Sequence, residues 1–161
     1  MLMDAYGPAV LRYCERMLGD LERARDVRQI VFLQAYEGLG HFEGRSSLRT
    51  WLFGIARHRS LDAIKSARVR RHEPIDSTAP TRDDPSPSAD VRALAVQRAI
   101  IECLQRLERG VREAVLLRCQ DGFSFPELGR MLGARAGTIE ARVRRGTQRL
   151  RRCLEHHEVR P

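Results

Sequence analysis

At 161 residues, with 42% hydrophobic but only 6% aromatic residues, the chain can build one large core or two small ones, chiefly from Leu, Val, Ile and Ala. Lys and Arg number 29 against 21 Asp and Glu, a net charge of +8. That excess favours a polyanionic partner, nucleic acid ahead of an anionic membrane, because each neutralised phosphate releases condensed counterions. No apolar run approaches the ~18 residues of a span, and Met1 to Val10 lacks the basic start and apolar stretch of a leader. No membrane insertion and a cytoplasmic location are therefore expected.

The chain opens with helical periodicity. Val10, Tyr13, Cys14 and Met17 form one stripe, and Val27, Ile30, Val31, Leu33 and Ala35 are expected on the inner face of a second helix. Gly38 and Gly40 break the pattern. Ser47 is placed to cap a third helix, with Leu48, Trp51, Leu52, Ile55 and Ala56 buried, that continues through Leu61 and Ile64. Phe42, Trp51 and Phe53 have rings able to stack on a base, but the helical spacing of Trp51 with Leu48 and Ile55 predicts core packing. Residues 72–89 carry Pro74, Pro80, Pro85 and Pro87 among Ser, Thr and Asp, too many prolines for a helix. They read as a flexible tether with a mean span of about 20–25 Å, between helical halves over 1–71 and 90–161.

In the second half Val91, Leu94, Ala95, Ile100, Cys103, Leu104 and Leu107 predict a long apolar face. Val111, Ala114, Val115 and Leu117 predict a shorter helix ending near Asp121 and Gly122. Ser124-Phe125-Pro126-Glu127 is a capping box with proline in the first turn. The short helix it opens turns Leu128, Met131 and Leu132 inward and stops at Gly133. Thr138 is then expected to open a helix that buries Ile139, Val143 and Leu150 and projects Arg142, Arg144, Arg145, Arg149, Arg151 and Arg152. Each feature alone also fits a solvated helix face rich in arginine. Their order is that of a helix-turn-helix whose second helix enters a major groove.

Cys14, Cys103, Cys119 and Cys153 include no CxxC pair, so in a reducing compartment they are expected to be buried thiols rather than disulfides. Cys103, Cys119 and Cys153 with His156 and His157 match no standard zinc spacing, so no metal or other cofactor is expected. No Ser/His/Asp set, phosphate-cradling glycine loop or paired-carboxylate motif is present, so catalysis is not expected either.

Two ordered blocks resemble a known family. Ala24-Arg25-Asp26-Val27-Arg28-Gln29-Ile30-Val31-Phe32-Leu33 and the run from Phe42-Glu43-Gly44-Arg45 to Ile55-Ala56-Arg57 are similar to region two of the extracytoplasmic-function sigma factors of bacterial RNA polymerase. Leu107, Arg112-Glu113, Val115-Leu116-Leu117-Arg118, Phe123 to Leu128 and Gly137-Thr138-Ile139 resemble region four. The resemblance implies an all-α chain of two small domains, a region two bundle and a region four helix-turn-helix, joined by the tether. It implies binding to core RNA polymerase, melting of a minus-ten element with capture of the non-template strand, and docking on a duplex minus-thirty-five element.

Carried over by position, Arg25, Asp26, Gln29 and Ile30 would face polymerase. The loop His41 to Ser47 would hold the unstacked strand, and Arg45, Ser46, Arg49, Arg57, His58 and Lys65 would contact minus-ten DNA. Arg135, Thr138, Glu140, Ala141, Arg142, Arg144, Arg145 and Arg149 would contact the minus-thirty-five duplex. The family also implies an anti-sigma factor as a partner.

This chain departs from the family at Ile30, where Glu is common, at His58 (Asn), at Gly129 (Ala) and at Glu140 (a basic residue). Glu140 would repel phosphate but can accept from cytosine N4. The chain starts late relative to many members, so an incomplete first helix is expected. The competing readings are a helix-turn-helix regulator acting without polymerase, and a metal- or thiol-responsive sensor.

Overall fold

The computed structural model describes residues 1–70 and 89–157, which are helical with no strand among them. Of the tether expected over 72–89, all but Ala89 lies outside the described residues.

Three helices form the first unit: α1 (Leu2–Leu18), α2 (Leu21–Gly38) and α3 (Leu48–Arg70). Gly19 ends α1 in the left-handed conformation, and the Asp20 carboxylate caps α2 by accepting from Arg23 N at 3.0 Å. The Ser47 hydroxyl accepts from Thr50 N at 3.0 Å, capping α3 as expected. Val10, Tyr13, Cys14 and Met17 are fully buried against Val27, Val31 and Ala35 of α2 and Leu52, Phe53 and Ala56 of α3.

Two expected faces are corrected. On α2 the core stripe is Ala24, Val27, Val31, Phe32 and Ala35, while Ile30 is 45% and Leu33 58% exposed. A helix of 3.6 residues per turn carries those two away from the seam with α1 and α3. On α3 the inward side is Leu52, Phe53, Ala56 and Ser60, and Leu48, Trp51 and Ile55 flank it half-buried.

The second unit contains α4 (Ala89–Gln105), α5 (Arg109–Val115) with a π-helical turn Leu116–Gln120, α6 (Phe125–Leu132) and α7 (Ala136–His156). Only the C-terminal half of the face predicted for α4 is core: Cys103, Leu104 and Leu107 are buried, whereas Leu94 and Ala95 are exposed. The capping box is present, with Ser124 N donating to Glu127 Oε2 at 2.8 Å and Glu127 N to Ser124 Oγ at 3.3 Å. Gly133 closes α6 at φ 63°, a left-handed position where a side chain would be strained. The helix α7 starts at Ala136, two residues before the expected Thr138; its N-cap Arg135 has no side-chain bond, and Arg135 O accepts from Ile139 N at 3.1 Å. It seats Ile139, Val143 and Gly146 on α5. Gly146 approaches so closely that a Cβ would lie 2.7 Å from Val111 Cγ1.

The two units share one continuous core, in which Phe53 of α3 meets Phe123 edge-on at 5.3 Å between ring centroids. Polar contacts organise the seam. The C-terminal carbonyls of α1 are completed from the second unit: Gln105 Nε2 donates to Arg16 O at 2.9 Å, and Arg112 Nη1 to Met17 O at 2.7 Å. A buried guanidinium at the negative end of a helix is well matched in charge, and Arg112 also donates to Leu107 O at 3.2 Å.

Candidate polymerase and nucleic-acid interfaces

Arg25, Asp26, Gln29 and Ile30 are all exposed on α2. Beside them lies a surface the sequence reading missed. Leu33 and Tyr36 (81% exposed) continue the Ile30 line along α2. With Leu2, Gln29, Phe32 and Leu39 they border an apolar depression of about 510 Å³. The detectable signal was a second apolar stripe at positions 30, 33 and 36, offset from the core stripe; exposed apolar area of this kind marks an interaction surface.

Arg45, Ser46, His58 and Lys65 are exposed, and Arg45 pairs with Glu43. The loop before α3 and the first turns of that helix enclose a shallow cavity of about 240 Å³ lined by His41, Phe42, Arg45, Ser46 and Trp51. Phe42 and Trp51 rings lie 5.2 Å apart at 45°, leaving Trp51 half-buried as one wall. Phe53, by contrast, is core, packed on Tyr13 and Phe123.

Arg49 and Arg57 are not free. The Arg49 guanidinium stacks over Phe123 at 4.3 Å from the ring centre, and Arg57 pairs with Glu113 of α5. Glu113 is only 5% exposed. Burial raises its pKa above the ordinary carboxylate value, opposed by the Arg57 charge. Asp121, at the same seam, is pushed up to about 6 by burial, opposed by Gln120 and by the charges of Arg49, Arg12 and Arg16. The ionic setting of Glu113 and Asp121 was not foreseen, since the arginines facing them, Arg57 and Arg49, lie in the other half of the chain.

On α7, Arg135, Thr138, Glu140, Arg144, Arg145 and Arg149 are exposed, and Ala141 and Arg142 half-buried. Arg142 faces a cleft of about 590 Å³ between the units, shared with Arg57, Arg68, Arg109 and Glu113. The remaining arginines make a continuous cationic surface after a tight turn, suited to phosphates and guanine edges.

The cysteine expectation is corrected in part. Cys103 and Cys153 are joined as a disulfide, and of the two free thiols Cys14 is buried as expected whereas Cys119 is exposed. Sequence separation hid the pair, because α4 and α7 are brought together only by the fold. Of the grouping considered for metal, Cys103, Cys153 and His157 converge, while Cys119 and His156 are not in that cluster.

Residues 2–70 match the sequence profile of Sigma-70 region 2, and residues 97–155 that of Sigma-70, region 4. The chain is 30% identical to the RNA polymerase sigma factor CarQ of Myxococcus xanthus, over 98% of this chain and 90% of the relative. It is 28% identical to the ECF RNA polymerase sigma factor SigW of Bacillus subtilis, over 95% of this chain and 87% of the relative. The fold is similar to that of the sigma factor RpoE in its co-crystal structure with the anti-sigma factor NepR from Bartonella quintana. There the TM-score is 0.75 at 24% identity, covering 95% of this chain and 94% of that one. The structure of CnrH in complex with the cytosolic domain of CnrY is also similar, with a TM-score of 0.71 at 23% identity over 96% and 86%. Two profiles in order, together spanning most of the chain, and full-length relatives of one kind place the chain in the extracytoplasmic-function group of the RNA polymerase sigma factor family, whose partners are core polymerase and promoter DNA.

Proposed function

We propose that this sigma factor uses three separate faces in promoter recognition. The exposed side of α2, with Arg25, Asp26, Gln29 and Ile30 and extended by Leu33 and Tyr36, docks on core polymerase. The loop cavity beside Trp51 takes an unstacked base of the non-template strand, with Arg45, Ser46, Arg49, Arg57, His58 and Lys65 on the adjoining phosphates. Unstacking costs a few kcal/mol per base, so the open strand needs an aromatic-walled receptor. The exposed face of α7 lies in the major groove of the minus-thirty-five duplex, where Glu140 modifies base choice and the arginines supply affinity. The observation that carries this reading is the pairing of an aromatic-walled cavity in one unit with a helix-turn-helix arginine face in the other.

The domain limits we propose are 1–71 and 90–161 with a tether between, acting in the cytoplasm without catalytic activity. No helix among the described residues is long and apolar enough to cross a membrane. An anti-sigma factor is proposed as a further partner, supported by the two similar folds, both of which are described in complexes. Transcription from a genomic promoter library with purified core polymerase tests the reading. Selected initiation is expected with the chain and none without it. Trp51→Ala should depress open-complex formation while sparing duplex minus-thirty-five binding, and Arg145→Ala should do the reverse. Failure to initiate with core enzyme, or equal loss of both steps in both variants, would refute the assignment of faces.

A further inference from the structure

The four cysteines occupy different chemical settings. Cys14 is buried beneath Ser60, whose hydroxyl donates to its sulfur at 3.6 Å, and burial pushes its pKa up to about 11. Cys119 is exposed and unpaired, with its pKa raised by desolvation. Burial shields the Cys14 thiol, and at both positions desolvation favours the protonated form.

Cys103 and Cys153 differ. Their Cα atoms are 5.7 Å apart, inside the range a disulfide bridges without backbone movement. The pair is asymmetric. Cys103, on the core side of α4, is 1% exposed, whereas Cys153, near the end of α7, is half-buried and reachable. Arg106, one turn beyond Cys103, directs Nη1 toward the Cys153 sulfur at 3.8 Å, which favours a thiolate there. His157, one turn beyond Cys153, lies with one ring nitrogen within 4.8 Å of both sulfurs, and its Nε2 is 3.9 Å from Glu102 Oε2.

We propose that Cys103 and Cys153 form a reversible dithiol site whose substrates are low-molecular-weight disulfides, with Cys153 the attacking thiol and Cys103 the resolving one. The Cys153 thiolate attacks one sulfur of the small disulfide, forming a mixed disulfide and expelling one thiolate, which takes a proton. Cys103 then loses its proton, for which the His157 imidazole is the nearest base, and attacks the Cys153 sulfur. The second small thiolate leaves and is protonated. In sum, two protein thiols and one small disulfide become one protein disulfide and two small thiols, and excess thiol reverses the exchange. The bond closes a loop with a sequence separation of 50 that contains α5, α6 and most of α7. Oxidation therefore ties the far end of the proposed recognition helix to α4 and narrows the unfolded ensemble of the helix-turn-helix.

The test treats the reduced full chain with oxidised glutathione and maps the products by non-reducing digestion and mass spectrometry. A cross-linked 103–153 peptide lighter by two hydrogens is expected, preceded by a glutathione adduct on Cys153. In Cys103→Ala the adduct should persist on Cys153. In Cys153→Ala modification of Cys103 should slow at least tenfold. The thermal midpoint of the oxidised chain should exceed that of the reduced chain by about 10 °C, a gap absent in both variants. Because the adduct and cross-link are read on the unmodified sequence, poor folding of a variant does not obscure the result. Glutathione uptake at Cys119 alone, or no 103–153 peptide, would overturn the proposal. So would stoichiometric capture of Zn²⁺ by the reduced chain, added alone, that shields both thiols from glutathione; Cys103, Cys153 and His157 would then be a metal site.

Discussion

Arg57→Ala isolates the buried ion pair that ties the two units together. Glu113 lies on the buried side of α5, and Arg57, on α3, is the cation paired with it. Removing one partner of a buried pair costs about 3–5 kcal/mol, most of it the penalty of an uncompensated charge. The chain escapes that penalty by separating its units, which returns Glu113 to water. The packed-to-open ratio should then fall by a factor of about 10² to 5 × 10³. Small-angle scattering reads this directly: a compact 161-residue chain has a radius of gyration near 15 Å, and separated units should exceed about 20 Å. Amide exchange should quicken at the Phe53 and Phe123 seam while persisting in the α1–α2 core. Two controls sharpen the test. Arg57→Leu with Glu113→Leu should stay compact, since an apolar pair replaces the ionic one at little cost. Acid should also close the single variant. Burial raises the Glu113 pKa in the packed form, so the packed form binds the proton more tightly and gains stability as pH falls through that raised value. An Arg57→Ala chain that stays near 15 Å at neutral pH, with Phe53 protected, would refute the reasoning.

Asp121 makes a second pH-dependent contribution of the same sign. With its pKa raised from 3.8 to about 6, stability of the packed chain should fall as pH rises from about 4 to 7, by at most about 3 kcal/mol. In Asp121→Asn, denaturant titrations across that range should lose this slope and show a more stable protein at pH 7.5. Ser124→Ala removes the capping hydroxyl of α6 and should cost about 1 kcal/mol in thermal unfolding, with a matching weakening of duplex binding. Gly146→Ala gains up to about 1 kcal/mol of helix propensity. Its Cβ would overlap Val115 and lie 2.7 Å from Val111 Cγ1, so overpacking should leave a net loss of about 1–2 kcal/mol by calorimetry. Adding Val115→Ala should recover part of that loss.

What could be read in advance follows from how far each interaction reaches along the chain. The capping box, the Ser47 cap and the Val10-Tyr13-Cys14-Met17 stripe are set within one or two turns, and local spacing predicts them. Ile30 and Leu33 are exposed, contrary to expectation, because apolar chemistry alone does not distinguish a side chain that enters the core from one left at the surface. Leu94 and Ala95 continue a helical stripe past the end of the core they serve. Arg49 and Arg57 could be recognised as basic residues of the third helix, but their partners, Phe123 and Glu113, lie in the other half of the chain. The Cys103–Cys153 contact is hidden in the same way, because it depends on how α4 crosses α7. The start of α7 was misjudged for a different reason: Arg135 caps with backbone alone, which leaves no residue-type signal.

The packed arrangement and the proposed promoter-bound arrangement make incompatible demands on the same arginines. Arg57 is held by Glu113 and Arg49 by Phe123, while Arg142 lines the cleft between the units, so Arg57 and Arg49 are already engaged while the seam is closed. Geometry requires the same conclusion. Elements centred about 25 base pairs apart are separated by roughly 85 Å along B-DNA at 3.4 Å per pair, well beyond a chain whose compact radius of gyration is about 15 Å. In the proposed promoter-bound arrangement, separation of the units would expose Glu113 and Asp121 to water while freeing Arg49 and Arg57 for DNA. On that proposal phosphates would replace the carboxylate as partner for Arg57, offsetting the ionic penalty of separation. A polyanion should accordingly shift the closed form toward the open one, with a salt dependence that weakens in the compact Arg57→Leu, Glu113→Leu double variant, where no arginine at position 57 exchanges a carboxylate for a phosphate.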